Sequence, residues 1–171
     1  DAPSFLNLAN HSYWNLDGTP TTEGHWLMVH AERYLPVDDR MIPTGVARVE
    51  GTGFDLRQGR VLRPSDARRY DHNFCLLEQA GEMKPAATLR GSKGVEMRME
   101  TTEPGLQVFD AAPIGSGDIP GHRGVPEVGF CGVALEAQGW PDAPNRPEFP
   151  SVRLDPNETY RQETRWTFAK R

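Results

Sequence analysis

The chain has 171 residues, of which 19 are Lys or Arg and 24 are Asp or Glu, so its formal net charge at neutral pH is −5. This mildly acidic balance is not that of a nucleic-acid-binding protein. The 17 glycines and 15 prolines exceed the usual share of a globular domain but stay below the share of a disordered chain. The composition therefore favours a turn-rich, all-β domain built from many short elements.

Membrane insertion and redox chemistry find little support in the sequence. The longest apolar-leaning run covers residues 128–135 and is followed by Glu136, whereas a membrane-spanning helix needs about 20 apolar residues. Cys75 and Cys131 lie in apolar, strand-like contexts with no CxxC spacing. We therefore expect no membrane span, two thiols that are buried rather than paired, and a cytoplasmic location.

Short strand-like segments separated by turn signals run along the whole chain. Two of them alternate clearly between apolar and polar residues, at 95–101 and 160–168, and this period of two is typical of half-buried strands. The complete set of predicted strands is 46–50, 73–78, 86–90, 95–101, 106–110, 132–136, 152–154 and 160–168. Such spacing predicts a single antiparallel sandwich or barrel over residues 1–171.

No amphipathic helix longer than about two turns and no internal repeat can be found, which argues against a doubly wound α/β fold. Residues 112–126 are rich in Gly and Pro and include Asp118, His122 and Arg123. We interpret them as a long loop. Such a loop is often functional in a compact domain, although a plain connection fits the same sequence.

Among the five histidines, only His11 and His72 lie in short polar clusters between apolar residues. His11 belongs to Asn7-Leu-Ala-Asn-His-Ser-Tyr-Trp-Asn-Leu, in which an imidazole is crowded by amide, hydroxyl and aromatic groups. An imidazole that titrates near neutral pH can donate a proton to a substrate. The alternative is a histidine that only satisfies backbone groups within a turn.

Two carboxylates lie at the ends of predicted strands. Asp71 begins one of them, where it could accept hydrogen bonds from ligand hydroxyls or simply cap the strand. Glu136 ends the most apolar stretch of the chain, where partial burial would make it a useful base or where it could form a salt bridge. Trp14 and Trp140 lie near His11 and Glu136 in sequence, which is a weak indication of a carbohydrate site.

A metal site is not expected. His25 and His30 are five residues apart, which fits neither the i, i+4 pair of a helix nor one face of a strand. The sequence also contains no Walker loop, GxGxxG, GxSxG or HExxH motif, so nucleotide binding, serine hydrolysis and zinc-peptidase chemistry have no support.

Three segments taken in order resemble the aldose 1-epimerase (galactose mutarotase) family. They are Asn7-Leu-Ala-Asn-His-Ser-Tyr-Trp-Asn-Leu, then Tyr70-Asp-His-Asn-Phe, then Ala134-Leu-Glu-Ala-Gln-Gly-Trp-Pro-Asp-Ala-Pro-Asn. Pro104-Gly-Leu-Gln-Val-Phe and the segment from Phe149 to Tyr160 extend the resemblance over nearly all of the chain. The resemblance implies an antiparallel β-sandwich of the galactose-mutarotase type.

The resemblance also implies roles for individual residues in interconverting the anomers of a free hexose such as galactose or glucose. His11 would be the general acid and Glu136 the general base, with Asp71 holding sugar hydroxyls. The further expected substrate contacts are Tyr13, Gln107 and Gln138. No cofactor or metal is implied, and the expected partner is a small sugar. Two alternatives are a sugar-binding relative without turnover and a hexose-phosphate mutarotase, for which Arg68 and Arg69 are the candidate phosphate ligands.

Members of the family are substantially longer, and this chain resembles their C-terminal portion. We therefore expect the domain to be missing its N-terminal part, and its cleft to lack an arginine and a second histidine that the family places upstream. A partial sandwich would leave sheet edges and apolar faces uncovered. We expect either a homodimer or the missing N-terminal half to cover them.

Overall fold

The structure is a computed structural model that describes residues 2–115, 117–122 and 124–171. These residues form short and medium-length strands, one 3-10 turn at Ala143–Asn145, and no α-helix. The strands are β1 (Ser4–Phe5), β2 (Tyr13–Trp14), β3 (Trp26–Val29), β4 (Arg33–Tyr34), β5 (Ala47–Arg48), β6 (Arg60–Val61), β7 (Asp71–Cys75), β8 (Lys84–Arg90), β9 (Val95–Thr101), β10 (Gly105–Phe109), β11 (Val133–Gln138), β12 (Arg153–Leu154) and β13 (Thr164–Lys170).

Two antiparallel sheets form the body of the fold. The six-stranded sheet has the order β2-β11-β10-β7-β4-β5, and the five-stranded sheet has the order β13-β9-β8-β3-β6. A small two-stranded ribbon joins β1 to β12. The predicted all-β, antiparallel sandwich is confirmed by this arrangement.

The main hydrophobic core lies between the two sheets. The six-stranded sheet contributes alternate residues such as Leu106 and Val108, and the five-stranded sheet contributes Met97 and Met99, all of them essentially inaccessible to solvent. Side chains two residues apart share a face of a strand, so the predicted apolar face of 95–101 is the face that packs inward. The other face of the six-stranded sheet remains available for a site.

Glu96, on the opposite face of β9, is more buried than the sequence pattern predicts. Alternation places Glu96 on the polar face, yet only 1% of its side chain is exposed. The guanidinium groups of Arg90, Arg98 and Arg171 cover it, with Nε–carboxylate distances of 2.6, 2.8 and 2.8 Å. Burial alone would raise the pKa of this carboxyl, but the arginines outweigh it and hold the pKa below its ordinary value.

The predicted strand 95–101 coincides with β9, and the other predicted strands differ from the observed ones by up to four residues at an end. The last strand begins at Thr164 rather than at residue 160, and the strand predicted at 73–78 begins at Asp71 and ends at Cys75. The interior strand Trp26–Val29 is absent from the prediction. Four consecutive apolar residues carry no alternation, so periodicity cannot identify such a segment.

The two cysteines are not joined in a disulfide, and Cys75 is buried while Cys131 is partly buried. Burial raises the pKa of Cys75 to about 12, which makes it an inert, apolar group. Among the described residues, none belongs to a helix long and apolar enough to cross a membrane. The described residues of 112–126 form no strand, and Arg123 lies outside the described residues.

A second, smaller apolar cluster covers one end of the outer face of the six-stranded sheet. Its buried members are Leu35, Cys75, Trp140, Ala143 and Phe149. The Trp140 indole donates a hydrogen bond of 2.9 Å to the carbonyl of Pro104, which fixes the loop after β11 against the start of β10. This cluster forms a wall beside the polar residues of the same face.

Candidate functional site

One face of the six-stranded sheet collects polar side chains from three neighbouring strands. In the ladder, Gln107 of β10 lies opposite Glu136 of β11 on one side and Asn73 of β7 on the other, and Phe109 lies opposite Asp71. Directly paired residues point to the same face and lie side by side. Three segments far apart in the chain are thereby brought into one patch.

The segment that carries His11 is attached to β11 at both of its ends. The Asn7 amide donates to the Gly139 carbonyl (3.1 Å) and accepts from the Gly139 N–H (2.8 Å), just after β11. The Asn15 amide donates to the carbonyl of Cys131 (2.9 Å), just before β11. These two asparagines of the first motif therefore hold His11 against the strand that carries Glu136.

His11 and Glu136 form the closest acid/base contact of the patch. The Nε2 atom of His11 lies 3.5 Å from Oε1 of Glu136, and the two side chains are 50% and 10% exposed. The imidazole packs against the rings of Tyr13 and Phe109, with centroids 5.0 and 6.3 Å away. A largely buried carboxylate thus faces an imidazole that a ligand can reach from solvent.

The electrostatics of the patch favour proton transfer to Glu136. Burial raises its pKa above the ordinary value, the nearby His11 opposes this increase, and the negative charge of Asp71 adds to it. A glutamate with a raised pKa is a stronger base than an exposed one, because its anionic form is less well solvated.

Asp71 is oriented by Gln107. The Nε2 atom of Gln107 donates to Oδ1 of Asp71 at 2.7 Å, so the amide oxygen of Gln107 points elsewhere. Together with the acid/base pair they border an open cavity of about 300 Å³, a volume at the lower end of the range for small-ligand sites. The lining residues are His11, Asp71, Gln107, Phe109, Glu136, Gln138 and Pro141.

Five of the six residues proposed from the sequence line this cavity, and Tyr13 is the exception. Tyr13 borders a neighbouring cavity of about 640 Å³, together with His122 and Glu127 of the Gly- and Pro-rich region. Burial and the negative charge of Glu136 raise the pKa of the Tyr13 phenol, which shows that it still lies close to the acid/base pair. A functional role for residues 112–126 stays a prediction.

His72 is not part of the patch. Adjacent residues of a strand point to opposite faces, so His72 points away from Asp71 and packs on Phe54, with ring centroids 4.3 Å apart. Burial lowers the pKa of His72, which favours the neutral imidazole. It serves as a packing residue at the edge of the core.

Arg68 and Arg69 do not line the cavity either. The Arg68 guanidinium lies over the ring of Phe54 at 5.8 Å, and that of Arg69 lies over Phe130 at 4.8 Å. Arg69 also donates to the backbone carbonyl of Pro64 at 3.2 Å. Both guanidinium groups therefore pack against aromatic rings outside the cavity that contains Glu136.

His25 and His30 do not form a metal site with their neighbours. His25 is fully buried, and its Nε2 atom accepts the backbone N–H of Leu16 at 3.0 Å, while Asp17 lies 3.7 Å from Nδ1. Within the described ranges, no group of three or more His, Cys, Asp or Glu residues is arranged to hold a metal ion.

Asn73 is the residue of this face that the sequence analysis missed. It is 2% exposed, and neither polar atom of its amide has a hydrogen-bond partner. Asparagine is depleted in strands, and buried amides are nearly always paired. An asparagine at the start of a predicted strand, followed directly by four apolar residues, was the signal that could have identified it.

The chain is similar in sequence to known proteins of one family. The profile of the family described as Aldose 1-epimerase matches residues 1–167. The galactose mutarotase of Rattus norvegicus is 40% identical over 171 residues, which cover 96% of this chain and 50% of the relative. The aldose 1-epimerase of Escherichia coli K12 is 35% identical over 181 residues, covering 98% of this chain and 52% of the relative.

Solved structures have the same fold. A GalM/aldose epimerase homologue from C. elegans matches with a TM-score of 0.88 and 30% identity over 99% of this chain and 53% of its own. The galactose 1-epimerase of Lactobacillus acidophilus matches with a TM-score of 0.71 and 27% identity over 99% and 50%. The chain spans about half the length of the relatives it matches. With the profile match along almost all of its residues, the chain belongs to the aldose 1-epimerase family.

Proposed function

We propose that this site interconverts the α and β anomers of a free hexose, such as galactose or glucose. The observation that carries the proposal is the 3.5 Å contact between His11 and Glu136 at the wall of a cavity that also contains Asp71, Gln107 and Gln138. An imidazole beside a carboxylate supplies one group that donates a proton and one that accepts it. Two carboxylates would instead suit cleavage of a glycosidic bond.

Ring opening would begin at Glu136. Its carboxylate removes the proton of the anomeric hydroxyl, the bond between the anomeric carbon and the ring oxygen breaks, and protonated His11 delivers a proton to that oxygen. The product is an open-chain aldehyde held by the hydroxyl contacts of Asp71. The number of protons on the protein is unchanged, because Glu136 gains the one that His11 loses.

Ring closure reverses these transfers after the aldehyde end has rotated. The former ring oxygen attacks the other face of the carbonyl, His11 takes back the proton of that hydroxyl, and Glu136 returns its own to the new anomeric hydroxyl. Each acid/base group contributes a factor of about 10² to 10⁴ in rate. Such factors are useful here because mutarotation already proceeds slowly in water.

The lining of the cavity favours an uncharged sugar over a sugar phosphate. Among the described residues, those that border it include no lysine or arginine, and phosphate recognition in proteins relies on such cations. Asp71, Glu136 and the two glutamines suit hydroxyl groups, which both donate and accept hydrogen bonds. Sugar binding without turnover is the remaining alternative, and the experiment below distinguishes it.

The two cysteines, which form no disulfide with each other, support a proposal about location. Reduced thiols persist in the cytoplasm, whereas oxidising compartments favour disulfides. We propose a cytoplasmic protein that meets free hexoses there.

Polarimetry of freshly dissolved α-galactose and α-glucose tests the proposed reaction. We expect the chain to accelerate the approach to equilibrium, and Glu136→Gln to reduce the acceleration by a factor of about 10² to 10⁴ while the far-UV circular dichroism stays unchanged. Glu82→Gln, the same change at an exposed glutamate, should keep the wild-type rate. A near-wild-type rate for Glu136→Gln contradicts the proposal, and calorimetric sugar binding without acceleration would select the binding-only alternative.

A further inference from the structure

The amide of Asn73 lies beneath the cavity that holds the acid/base pair. Its neighbour across the ladder is Gln107, whose Nε2 atom is occupied by Asp71. Three buried polar atoms in this place, namely Oδ1 and Nδ2 of Asn73 and Oε1 of Gln107, have no hydrogen-bond partner in the part of the chain that the structure describes. Leaving such groups unpaired is costly, so a native structure that contains them usually has a ligand or an ordered water at that point.

Asn73 and Gln107 also line a small cavity of about 80 Å³ beside the larger one, which we call the inner cavity because it borders the buried Asn73. Asp71, Gln107 and Pro141 line both cavities, while Asn73 lines only the inner one. The remaining walls are apolar, from Leu35 and Val37 among others. The inner cavity is therefore an apolar recess with polar atoms at the side nearest the acid/base pair.

Gly105 leaves the space that the Asn73 amide occupies. A Cβ atom at position 105 would lie 2.4 Å from Oδ1 of Asn73, which is closer than nonbonded atoms can approach. Gly105 pairs with Cys75 in the ladder, two residues along each strand from the pair formed by Gln107 and Asn73. The glycine in this strand therefore makes room for the Asn73 amide. No described residue forms a hydrogen bond with that amide.

The hydrogen-bonding capacity of the three atoms matches a hydroxyl group. A hydroxyl can accept a hydrogen bond from Nδ2 of Asn73 and donate one to Oε1 of Gln107 or to Oδ1 of Asn73. We propose that Asn73 and Gln107 form an inner subsite that binds one hydroxyl-bearing group of the aldose and so contributes to the choice of sugar. This inference rests on the proposed function, because it assumes that the outer cavity receives a free aldose.

The subsite is tested by combining a substitution of Asn73 with the removal of single hydroxyl groups from the sugar. Dissociation constants for galactose and its 2-, 3-, 4- and 6-deoxy analogues are measured by calorimetry or NMR titration with the wild-type chain and with Asn73→Leu, which keeps the approximate shape and removes the amide. We expect Asn73→Leu to increase the dissociation constant for galactose about tenfold. For one deoxy analogue, which already lacks the bound hydroxyl, the same substitution should change the affinity less than about twofold.

Two controls keep the result interpretable. Gln58→Leu makes the same kind of substitution at an exposed amide and should alter no affinity. Asn73→Ala, which adds no volume, replaces Asn73→Leu if the leucine variant does not fold.

An equal loss for galactose and all its analogues would mean that Asn73 holds water or supports the fold, and it overturns the subsite. Unchanged galactose affinity in the Asn73 variant overturns it as well. Galactose binding with the expected pattern but without accelerated mutarotation would leave the subsite standing and contradict only the proposed reaction. No binding of any aldose to the wild-type chain counts against both.

Discussion

Glu136 owes its chemical character to its surroundings rather than to its residue type. Its side chain is 10% exposed, and the resulting loss of hydration raises its pKa, with Asp71 adding to the increase and His11 opposing it. A carboxylate that retains its proton more readily accepts one more effectively from a sugar hydroxyl. The same property must limit the pH range in which it is ionised.

The rate of the proposed mutarotation should therefore decline on the acid side at a pH above the ordinary glutamate value of 4.5. Glu136 must be ionised to act as the base, and a raised pKa means that it becomes protonated at a higher pH than an exposed glutamate. The measurement is kcat/KM for galactose between pH 4 and 8, corrected for the spontaneous reaction in each buffer. An acid limb centred at or below pH 4.5, in a chain that circular dichroism shows to be folded, would contradict the assignment.

Strand β9 illustrates how one element can carry two kinds of stabilisation. Met97 and Met99 pack into the core on one side, while on the other side Glu96 is enclosed by Arg90 and Arg98 from the hairpin β8–β9 and by Arg171 after β13. The three arginines are partly exposed, so they gain from the carboxylate without a full loss of hydration. Glu96 thus ties the last strand to the middle of its sheet.

Glu96→Gln should lower the free energy of unfolding by about 1–3 kcal/mol at pH 7, because charge-assisted hydrogen bonds are replaced by neutral ones. The folded state holds the pKa of Glu96 below 4.5, so its contribution is complete above that pH and is lost as the pH falls through the folded-state pKa. Urea denaturation at pH 7 and pH 3 measures both effects.

Glu100→Gln is the matched control on the same strand. Its partner Arg165 is 3.7 Å away and both side chains are over one-third exposed, so the change should cost less than about 1 kcal/mol. Equal effects of the two substitutions at pH 7 would contradict the role given to Glu96.

The sandwich is open along one side. Strand β13 pairs with β9, and no described residue pairs with its other edge, while the two-residue β2 forms the edge of the facing sheet. The Trp14 ring contacts those of Trp166 and Phe168 there, and Phe168 is 52% exposed. The two indole N–H groups are buried and have no acceptor among the described residues. Since the chain spans about half the length of its relatives, we propose that further polypeptide or a second copy covers this side.

We expect the 171-residue chain alone to self-associate as its concentration rises, because long edge strands with apolar side chains pair readily. Sedimentation velocity should detect species larger than the 19.1 kDa monomer. Phe168→Lys should weaken the association, and Thr167→Lys, which places the same charge on the opposite face of β13, should weaken it less. A monomer at all concentrations, or equal effects of the two variants, would contradict this expectation.

The local sequence pattern was sufficient to predict a structural feature wherever the physical cause of that feature lies in neighbouring residues. The alternation around Met97 predicts a strand because side chains of a strand point alternately to two faces, and the density of Gly and Pro predicts short elements. The motifs around His11, Asp71 and Glu136 indicate the family because each keeps its residues in a fixed local order. Strand ends were less accurate, since they depend on pairing partners elsewhere in the chain.

The distances between the site residues and the burial of individual polar side chains were decided by the tertiary structure alone. His11 and Glu136 are 125 positions apart in the chain, and the pairing of β2 with β11, together with the hydrogen bonds of Asn7 and Asn15, brings their side chains to 3.5 Å. Glu96 and Glu100 carry the same charge on the same strand. Three arginines bury Glu96, whereas Glu100 stays partly exposed. Asn73 and Gln107 lie side by side on neighbouring strands, yet among the described residues neither amide atom of Asn73 has a hydrogen-bond partner. Each outcome depends on which residues the sheet register places side by side, and this is a property of the folded chain.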